Sequence, residues 1–349
     1  MISFLKERYS KMKTIGVLTS GGDSQGMNAA VRAVVRTALN EGFRVMGINK
    51  GYNGLINGDI TELNYTSVSN TLSSGGTFLK TARCLEFKEE AGILKAVETC
   101  KKFGIDGIVV LGGDGSFRGA RDLTLHGVPC VAMPGTIDND IVCSDYTIGF
   151  DTAVNICVEL IDKLRDTCES HNRCSVVQIM GKNAGWVTLE ASIASGATTT
   201  VVPEVEFNFE RDIVERFKRG MGFGKTSFIV AVSEGVFFDV PSNKNYEYMQ
   251  KIGIHNAAEF AKKITEETGV ESRETVLGHV QRGGTPTARD RIIATEMGNY
   301  AVELLKNNIS NRVIVMKENH ITDFDILEAL QMKKPFDIKR YNMANDINI

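Results

Sequence analysis

Three glycine-rich segments of this sequence place carboxylates where a phosphate group and a metal ion could be bound. They span residues 19–28, 112–116 and 134–140, and each follows a short apolar run. Apolar runs of this length predict buried strands, and ligands of open α/β sheets bind at the carboxyl ends of the strands. Glycines let the backbone approach a ligand closely, and the amides at the start of a helix attract anions. The three segments together therefore predict phosphate chemistry assisted by a metal.

A magnesium ligand is predicted at Asp114, which lies between Gly113 and Gly115. The glycines leave space for a metal–phosphate unit, and Mg²⁺ takes few protein ligands while keeping several waters. Asp138 and Asp140 are two residues apart, so in a turn one can face an incoming hydroxyl while the other faces the water shell of the metal. Aspartate in glycine-rich turns is also common for structural reasons, so each motif alone leaves that interpretation open, whereas the two together favour the chemical one.

Two familiar nucleotide-binding patterns do not account for this sequence. The first segment lacks the Gly-x-Gly-x-x-Gly spacing, which argues against a nicotinamide-dependent oxidoreductase. Residues 220–226 (Gly-Met-Gly-Phe-Gly-Lys-Thr) look like a Walker A loop, but the spacing between Gly220 and Gly224 is one residue too short for that loop. The order of elements is also reversed, because a helix-like stretch precedes this segment and a strand-like stretch follows it. We therefore assign no ATP binding to residues 220–226.

Short apolar, β-branched runs alternate with helix-like stretches along the whole chain. Runs that predict strands lie at residues 14–18, 44–48, 107–111, 130–133, 175–180, 200–202, 228–232, 275–277 and 313–316. Apolar residues at helical spacing predict helices over residues 27–39 and 153–164. The alternation predicts an α/β protein with two Rossmann-like three-layer domains, mainly parallel sheets and an active site in the cleft between the domains.

Composition and charge exclude several classes of function. The 349 residues carry 40 basic and 43 acidic side chains, and the formal net charge of -3 offers no broad positive field to nucleic acid or a membrane surface. No apolar stretch reaches the length of a membrane span or has the form of a secretion signal, so we expect a cytoplasmic protein. The cysteines stand singly, without a Cys-x-x-Cys pair, which predicts reduced thiols.

The combined segments resemble the phosphofructokinase family over about residues 14–336. Gly-Gly-Asp-Gly (112–115) also occurs in lipid and NAD kinases, whereas Pro-Gly-Thr-Ile-Asp-Asn-Asp (134–140) and Gly-His-Val-Gln-Arg-Gly-Gly (278–284) make the resemblance specific. The resemblance implies a glycolytic kinase that uses Mg²⁺ and transfers the γ-phosphoryl group of ATP to the 1-hydroxyl of fructose 6-phosphate. It also implies a homo-oligomer, expected to be a tetramer. Its predicted domains are a nucleotide-binding domain at 12–149 plus 281–331 and a fructose-6-phosphate-binding domain at 150–280 plus 332–349.

The resemblance assigns roles on the nucleotide side and at the reacting groups. Asp138 is similar to the base that takes the proton from the 1-hydroxyl of the sugar and orients that hydroxyl. Thr136 and Asp140 match residues that hold the sugar and the water shell of the metal, and Asp114 matches the magnesium ligand. Arg83 would neutralise charge on the transferred phosphoryl group. The other nucleotide-side positions are Gly22, Tyr52, Cys84, Gly113, Gly115 and Ser116.

The resemblance also implies a fructose 6-phosphate site. Its positions are Met180, Gly181, Lys182, Glu234, Arg173, Arg273, His279 and Arg282, of which the last four would hold the 6-phosphate. Arg173 and Arg273 would come from a neighbouring subunit, so that the substrate sites are complete only in the oligomer. Lys182 stands where the short bacterial relatives have arginine. A point charge there replaces a planar fork, and we expect activity to survive with altered substrate affinity.

The choice of phosphoryl donor depends on Gly115 and Gly135. Pyrophosphate-using relatives carry aspartate and lysine at these positions, and the aspartate would repel the α-phosphate of a nucleotide, so two glycines favour ATP. Ala-Gly-Trp at 184–186 resembles the variant of longer and of pyrophosphate-using relatives, and it keeps a pyrophosphate-dependent phosphofructokinase as an alternative. A catalytically silent sugar-phosphate-binding regulatory subunit is the second alternative, and the presence of all the acidic candidates argues against it.

The positions that match an effector pocket carry few charged residues. Four basic residues match the effector pocket of regulated bacterial relatives: Arg32, Arg36, Arg165 and Lys225. At six other positions of that pocket, uncharged residues replace charged ones: Tyr65, Asn70, Thr198, Phe223, Thr226 and Ser227. We therefore expect weak or absent regulation by ADP and phosphoenolpyruvate.

Residues 235–253 look like an insertion, which either covers the sugar site or is an exposed elaboration. The polar stretch 242–248 is expected on the surface.

Overall fold

The computed structural model describes residues 12–348. Contacts within this part of the chain divide it into two compact units. The first unit comprises residues 12–136, 141–149 and 284–333, and the second comprises residues 137–140, 150–283 and 334–348. No helix within residues 12–348 is both long enough and apolar enough to cross a membrane.

Strands and helices alternate along the described chain. The strands are β1 (Thr14–Thr19), β2 (Arg44–Ile48), β3 (Ile60–Leu63), β4 (Gly107–Gly112), β5 (Cys130–Pro134), β6 (Cys174–Ile179), β7 (Thr199–Val201), β8 (Phe228–Ser233), β9 (Ser272–Val276), β10 (Arg312–Lys317) and β11 (His320–Asp325). The α-helices are α1 (Met27–Asn40), α2 (Gly51–Asn57), α3 (Glu90–Phe103), α4 (Asp114–Leu125), α5 (Phe150–His171), α6 (Trp186–Ser195), α7 (Glu215–Gly222), α8 (Tyr246–Lys251), α9 (Ala257–Thr268), α10 (Ala288–Lys306), α11 (Ile326–Gln331) and α12 (Ile338–Asp346).

The first unit contains a sheet with the strand order β11-β10-β5-β4-β1-β2-β3. Strands β10, β5, β4, β1 and β2 run parallel, whereas β3 and β11 pair antiparallel at the two edges. Strands β1 and β4 are buried along their whole length. Continuous burial of this kind is typical of parallel strands covered by helices on both faces, and it explains their unbroken apolar sequence.

The second unit contains a smaller sheet with the strand order β7-β8-β6-β9, in which neighbouring strands run parallel. The C-terminal helix α12 protects the edge strand β7. The side-chain oxygen of Asn345 accepts a hydrogen bond from the backbone N–H of Thr200 at 2.9 Å, and the Tyr341 hydroxyl donates to the Thr200 carbonyl at 3.0 Å. These bonds satisfy backbone groups that an edge strand would otherwise leave unpaired.

The predicted α/β fold with two mainly parallel sheets is confirmed. Each predicted strand is present, although β9 begins three residues before the predicted run at 275–277, and the predicted helices appear as α1 and a longer α5. The edge strands β3 and β11 were not predicted, because most of their residues are partly or fully exposed and their sequences mix polar and apolar residues. Helix α7 leads into the Walker-like segment and ends within it at Gly222, and β8 follows, which is the reversed order predicted from the sequence.

The expectation that residues 242–248 all lie on the surface is wrong at Asn245, which is 1% exposed. Its side-chain oxygen accepts from the backbone N–H of Phe207 at 2.8 Å, and its amide nitrogen donates to the carbonyls of Val202 and Val205 at 2.9 Å. These bonds use three of the four hydrogen-bonding positions of the side-chain amide, which offsets the cost of removing it from water. Asn245 therefore bonds residues 235–253 to the neighbouring stretch 202–207 of the second unit.

Candidate active site

Three predicted turns begin at one edge of the sheet in the first unit. Their strands β5, β4 and β1 are direct neighbours, with Thr19 opposite Leu111 and Gly112 opposite Pro134. The carbonyl of Leu111 accepts from the backbone N–H of Ser20 at 2.8 Å, and the carbonyl of Gly112 accepts from the N–H of Gly135 at 3.0 Å. The parallel register thus aligns the starts of the three turns at the carboxyl ends of the strands.

The turn after β4 has room for a ligand on one side only. A Cβ atom at Gly112 would lie 2.3 Å from the Ser116 hydroxyl oxygen and 2.4 Å from the Ser20 carbonyl oxygen, so no larger residue fits there. A Cβ atom at Gly113 or Gly115 would meet no atom within 4 Å. The backbone beside Asp114, the first residue of α4, is therefore open to an approaching group.

Magnesium fits this donor arrangement. Residues 12–348 contain no group of three or more His, Cys, Asp and Glu side chains that could enclose a metal ion. The Asp114 carboxylate, flanked by two open glycine positions at the start of a helix, would instead suit an ion that keeps its waters and takes further oxygens from bound phosphate groups. The helix start also favours the negative charge of those phosphates.

Tyr52 contacts the turn that follows β4. It is 5% exposed, its hydroxyl donates to the Ser116 carbonyl at 2.6 Å, and its ring stacks on Phe87 at a centroid distance of 4.1 Å. Burial raises the pKa of the phenol well above its ordinary value, so the hydroxyl keeps its proton at neutral pH. Tyr52 therefore supports the turn and is not an acid or a base near neutral pH.

Arg83 is an exposed residue in a segment attached to the first glycine-rich turn. The Thr81 hydroxyl donates to the Gly21 carbonyl at 2.7 Å, and the Thr19 hydroxyl donates to the Lys80 carbonyl at 2.9 Å. Gly22 is exposed in that turn and the free thiol of Cys84 is partly exposed beside Arg83. These bonds bring the segment of Arg83 to the same edge of the sheet as the glycine-rich turns.

The turn 137–140 belongs to the second unit. Each of its residues 138, 139 and 140 contacts a different basic side chain. An Arg282 nitrogen lies 3.9 Å from a carboxylate oxygen of Asp138, and the Lys182 ammonium lies 3.7 Å from a carboxylate oxygen of Asp140. Between them, the Asn139 carbonyl accepts a hydrogen bond from the Lys334 ammonium at 2.9 Å. Three cations from separate parts of the sequence therefore contact this turn, two of them at its carboxylates and one at a backbone carbonyl. Thr136, at the end of the first unit, is 9% exposed, and its carbonyl accepts from the Thr147 hydroxyl at 2.6 Å.

The environment of Asp138 makes it a stronger base than an ordinary aspartate. Burial is the main cause, since the side chain is 8% exposed, and the neighbouring Asp140 adds to it; together they raise the pKa of Asp138 to about 6. Glu234 acts in the same direction, whereas Arg282 and Lys182 oppose the rise. The carboxylate is thus largely ionised at neutral pH but holds a proton more readily than one in water.

Glu234 and Gln281 hold the segment that carries Met180, Gly181 and Lys182. One oxygen of Glu234 accepts from the backbone N–H of Gly181 at 3.1 Å and from that of Lys182 at 2.7 Å. Gln281 accepts from the N–H of Met180 at 2.7 Å and donates back to its carbonyl at 3.2 Å. Lys182 has a positive φ of 55°, a strained conformation for a non-glycine residue that these bonds support.

Gln281 was missed by the sequence analysis, although a signal existed. It is fully buried, whereas its neighbours His279 and Arg282 in the same 3₁₀ turn keep exposed surface. A polar residue between glycines in the specific segment 278–284 could have been recognised as a structural partner of another segment. Lys334 was also missed, and no local pattern marked it.

Arg173 and Arg273 share one acidic partner. The Arg173 guanidinium lies 2.9 Å from one carboxylate oxygen of Glu271, and the Arg273 guanidinium lies 3.0 Å from the other. Hydrogen bonds from the two arginines lower the pKa of Glu271. Within the second unit this pair therefore meets Glu271, while Arg282 faces Asp138.

Comparison with known proteins gives concordant results. The sequence model described as phosphofructokinase matches residues 14–305. An ATP-dependent 6-phosphofructokinase of Clostridium botulinum (strain Loch Maree / Type A3) is 50% identical over 333 residues, which cover 95% of this chain and 98% of the relative. ATP-dependent 6-phosphofructokinase 1 of Clostridium perfringens (strain 13 / Type A) is 49% identical over 337 residues, which cover 97% of this chain and 100% of the relative.

A solved structure agrees with these relatives. Phosphofructokinase from Saccharomyces cerevisiae superposes with a TM-score of 0.81 at 33% identity, over 91% of this chain. The match covers 45% of the yeast chain, so this chain spans less than half the length of that protein. The family match over residues 14–305 and the near full-length identity to the clostridial relatives lead to one conclusion. The chain belongs to the phosphofructokinase family.

Proposed function

We propose that this chain is an ATP-dependent 6-phosphofructokinase that acts in glycolysis. It transfers the γ-phosphoryl group of MgATP to the 1-hydroxyl of fructose 6-phosphate and releases fructose 1,6-bisphosphate and ADP. Family membership and 50% identity to a clostridial ATP-dependent relative support this reaction. The observation that carries the chemistry is Asp138, a buried carboxylate whose pKa is raised to about 6. A base with a pKa just below neutral is well suited to accept a proton at neutral pH.

Asp138 would orient the 1-hydroxyl and take its proton as the hydroxyl oxygen attacks the phosphorus atom. Because phosphoryl transfer has a loose transition state, orientation is the larger part of this task. Arg282, 3.9 Å from Asp138, would bind the 6-phosphate, as would the exposed His279. The segment 180–182, held by Glu234 and Gln281, would line the sugar.

The nucleotide would bind to the glycine-rich turns of the first unit. Asp114 would hold Mg²⁺, and the bound ion would neutralise negative charge on the phosphate oxygens. The open positions at Gly113 and Gly115 let the phosphates approach the backbone amides at the start of α4. Arg83 is exposed and has a planar guanidinium, which suits charge that develops on the transferred group.

ATP is the proposed donor, in preference to pyrophosphate. Gly115 and Gly135 leave the nucleotide side without the aspartate and lysine of pyrophosphate-using relatives, and the clostridial relatives are named as ATP-dependent enzymes. The test is a steady-state assay of the full chain with Mg²⁺, fructose 6-phosphate and either ATP or pyrophosphate. We expect turnover with ATP. Turnover with pyrophosphate alone would select the pyrophosphate-dependent alternative, and turnover with neither would select the silent regulatory subunit.

We further propose that the enzyme is a cytoplasmic homotetramer whose substrate sites are shared between subunits. The Arg273 side chain is 65% exposed and forms an ion pair with Glu271, so it could exchange this partner for the 6-phosphate of a neighbouring site. Shared sites have a testable consequence. An Arg273→Ala variant and an Asp138→Asn variant should each be nearly inactive, but mixed oligomers of the two should recover activity. Mixed oligomers without recovered activity would contradict shared sites.

A further inference from the structure

Lys334 reaches the turn of Asp138 from the C-terminal part of the chain. Its ammonium donates to the Asn139 carbonyl at 2.9 Å, a bond between residues 195 positions apart. Asn139 is 4% exposed and has a positive φ of 49°. Asparagine tolerates this left-handed conformation better than most residues, but surrounding contacts must still hold it in place. The Lys334 ammonium supplies such a contact on the residue between the two carboxylates.

The Lys334 ammonium is itself held by an aromatic ring. It lies 5.0 Å from the ring centroid of Trp186, within the range of a cation–π interaction. Trp186 is the first residue of α6 and lies four residues beyond Lys182. The Trp186 ring also packs against Phe336, two residues beyond Lys334, at a centroid distance of 4.9 Å. The cation is thus fixed between an indole ring and a peptide carbonyl.

The chain that follows Lys334 is firmly attached to the second unit. Helix α12 begins at Ile338, and Arg340 makes two hydrogen bonds with Glu190 of α6. Tyr341 and Asn345 bond to the backbone of Thr200, as described for the edge of β7. Lys334 is therefore presented from an anchored segment, and its position relative to Trp186 is well defined.

We propose that Lys334, held over Trp186, is a positioning residue that keeps the turn of Asp138 in the geometry required for phosphoryl transfer. This inference rests on the proposed function. Arg282 and Lys182 face the carboxylates of the turn, whereas the Lys334 bond is to a backbone carbonyl. Lys334 therefore acts on the backbone that carries Asp138, the proposed base. A displacement of about 1 Å at reacting groups lowers turnover by up to about 10²-fold.

The test compares three variants of the full chain with the parent. Lys334→Met removes the donor but keeps most of the side-chain volume, Lys334→Arg restores a donor, and Lys333→Met changes the adjacent exposed lysine as a matched control. We expect Lys334→Met to lower kcat by about 10- to 10²-fold with the KM for MgATP changed by less than about threefold. Lys334→Arg should recover most of kcat, and Lys333→Met should match the parent.

The chain contains a single tryptophan, so its emission reports on this contact independently of catalysis. Lys334→Met should change the fluorescence of Trp186, and Lys333→Met should not. An active parent whose Lys334→Met variant keeps kcat within about twofold would overturn the inference, as would a loss that Lys334→Arg does not restore or that Lys333→Met shares. A parent without turnover would instead contradict the proposed function, while the emission of Trp186 would still show whether the contact exists.

Discussion

The guanidinium of Arg282 lies 3.9 Å from the carboxylate of Asp138, and their side chains are 17% and 8% exposed. In this setting the charge of Arg282 lowers the pKa of Asp138, while burial and Asp140 raise it. The rise is the larger effect, and the result is a pKa of about 6. Asp138 is therefore mostly charged at neutral pH, and its raised pKa makes it a stronger base than an aspartate in water.

The pH dependence of turnover follows from this balance. The base must be ionised to act, so kcat/KM for fructose 6-phosphate should fall as the pH drops through about 6, the pKa of Asp138. An ordinary aspartate would place this fall two units lower, at about pH 4. The measurement is kcat/KM against pH at saturating MgATP. A profile that stays flat down to about pH 5 would contradict the assigned base.

Lys182 provides a variant that shifts this profile in a defined direction. Its ammonium lowers the pKa of Asp138 and lies 3.7 Å from Asp140. Lys182→Met should therefore move the acidic fall of kcat/KM to higher pH. The control is Lys262→Met, which changes an exposed lysine on α9 and should leave the profile unchanged.

Asp138→Asn should lower kcat by about 10²- to 10⁴-fold, the range typical of a general base, and leave MgATP binding nearly intact. The same variant should unfold at a higher temperature than the parent near neutral pH. A raised pKa in the folded state means that ionised Asp138 disfavours folding, and this cost develops as the pH rises from about 4 to about 6. Thermal melts near neutral pH and below pH 4 should therefore show a gain only at neutral pH. Unchanged turnover would remove Asp138 from its role.

Gly115→Asp should raise the KM for MgATP about tenfold or more, and the KM for fructose 6-phosphate much less. A Cβ atom at this position meets nothing within 4 Å, so the substitution tests charge and not packing. Gly115→Ala is the matched control and should behave like the parent. An Asp variant with an unchanged KM for MgATP would undo the argument that glycine here selects ATP.

Regulation by ADP and phosphoenolpyruvate should be weak or absent. Phe223 and Tyr65 are uncharged, so neither supplies a charge to an anionic effector. Phe223 is 81% exposed, and the Tyr65 hydroxyl donates to the side-chain oxygen of Asn40 at 2.6 Å. Burial, together with Arg165 and Arg216, lowers the pKa of Lys225. Each lost charged hydrogen bond typically costs about 1.5–3 kcal/mol of binding. Saturation curves for fructose 6-phosphate should keep their shape when either ligand is added, and a sigmoidal curve made hyperbolic by ADP would refute this.

Much of the fold could be predicted because its central strands are continuous apolar runs. Strands β1 and β4 are buried along their whole length, so their sequences are unambiguous, and the glycine-rich turns follow them directly. The edge strands β3 and β11 face solvent and carry mixed residues, so local pattern did not reveal them. The burial of Asn245 was not predicted, because a polar side chain is expected at the surface unless its buried backbone partners are known.

The carboxylates of the candidate site were predicted because they lie in short segments of unusual composition. Their supports were not predicted. Gln281 bonds Met180 across 101 positions and Lys334 bonds Asn139 across 195, and no spacing rule connects residues so far apart. No sequence pattern indicated that Arg173 and Arg273 would share Glu271. Such contacts depend on the packing of distant segments, which local propensity does not encode.

The most direct test of the account is transfer of a label from the γ-phosphoryl group of ATP. The full chain is incubated with labelled ATP, Mg²⁺ and fructose 6-phosphate, in parallel with its Asp138→Asn variant. We predict that the parent places the label on fructose 1,6-bisphosphate, and that the variant does so about 10²- to 10⁴-fold more slowly. Label released as orthophosphate without a labelled sugar, or equal transfer by both proteins, would contradict the account.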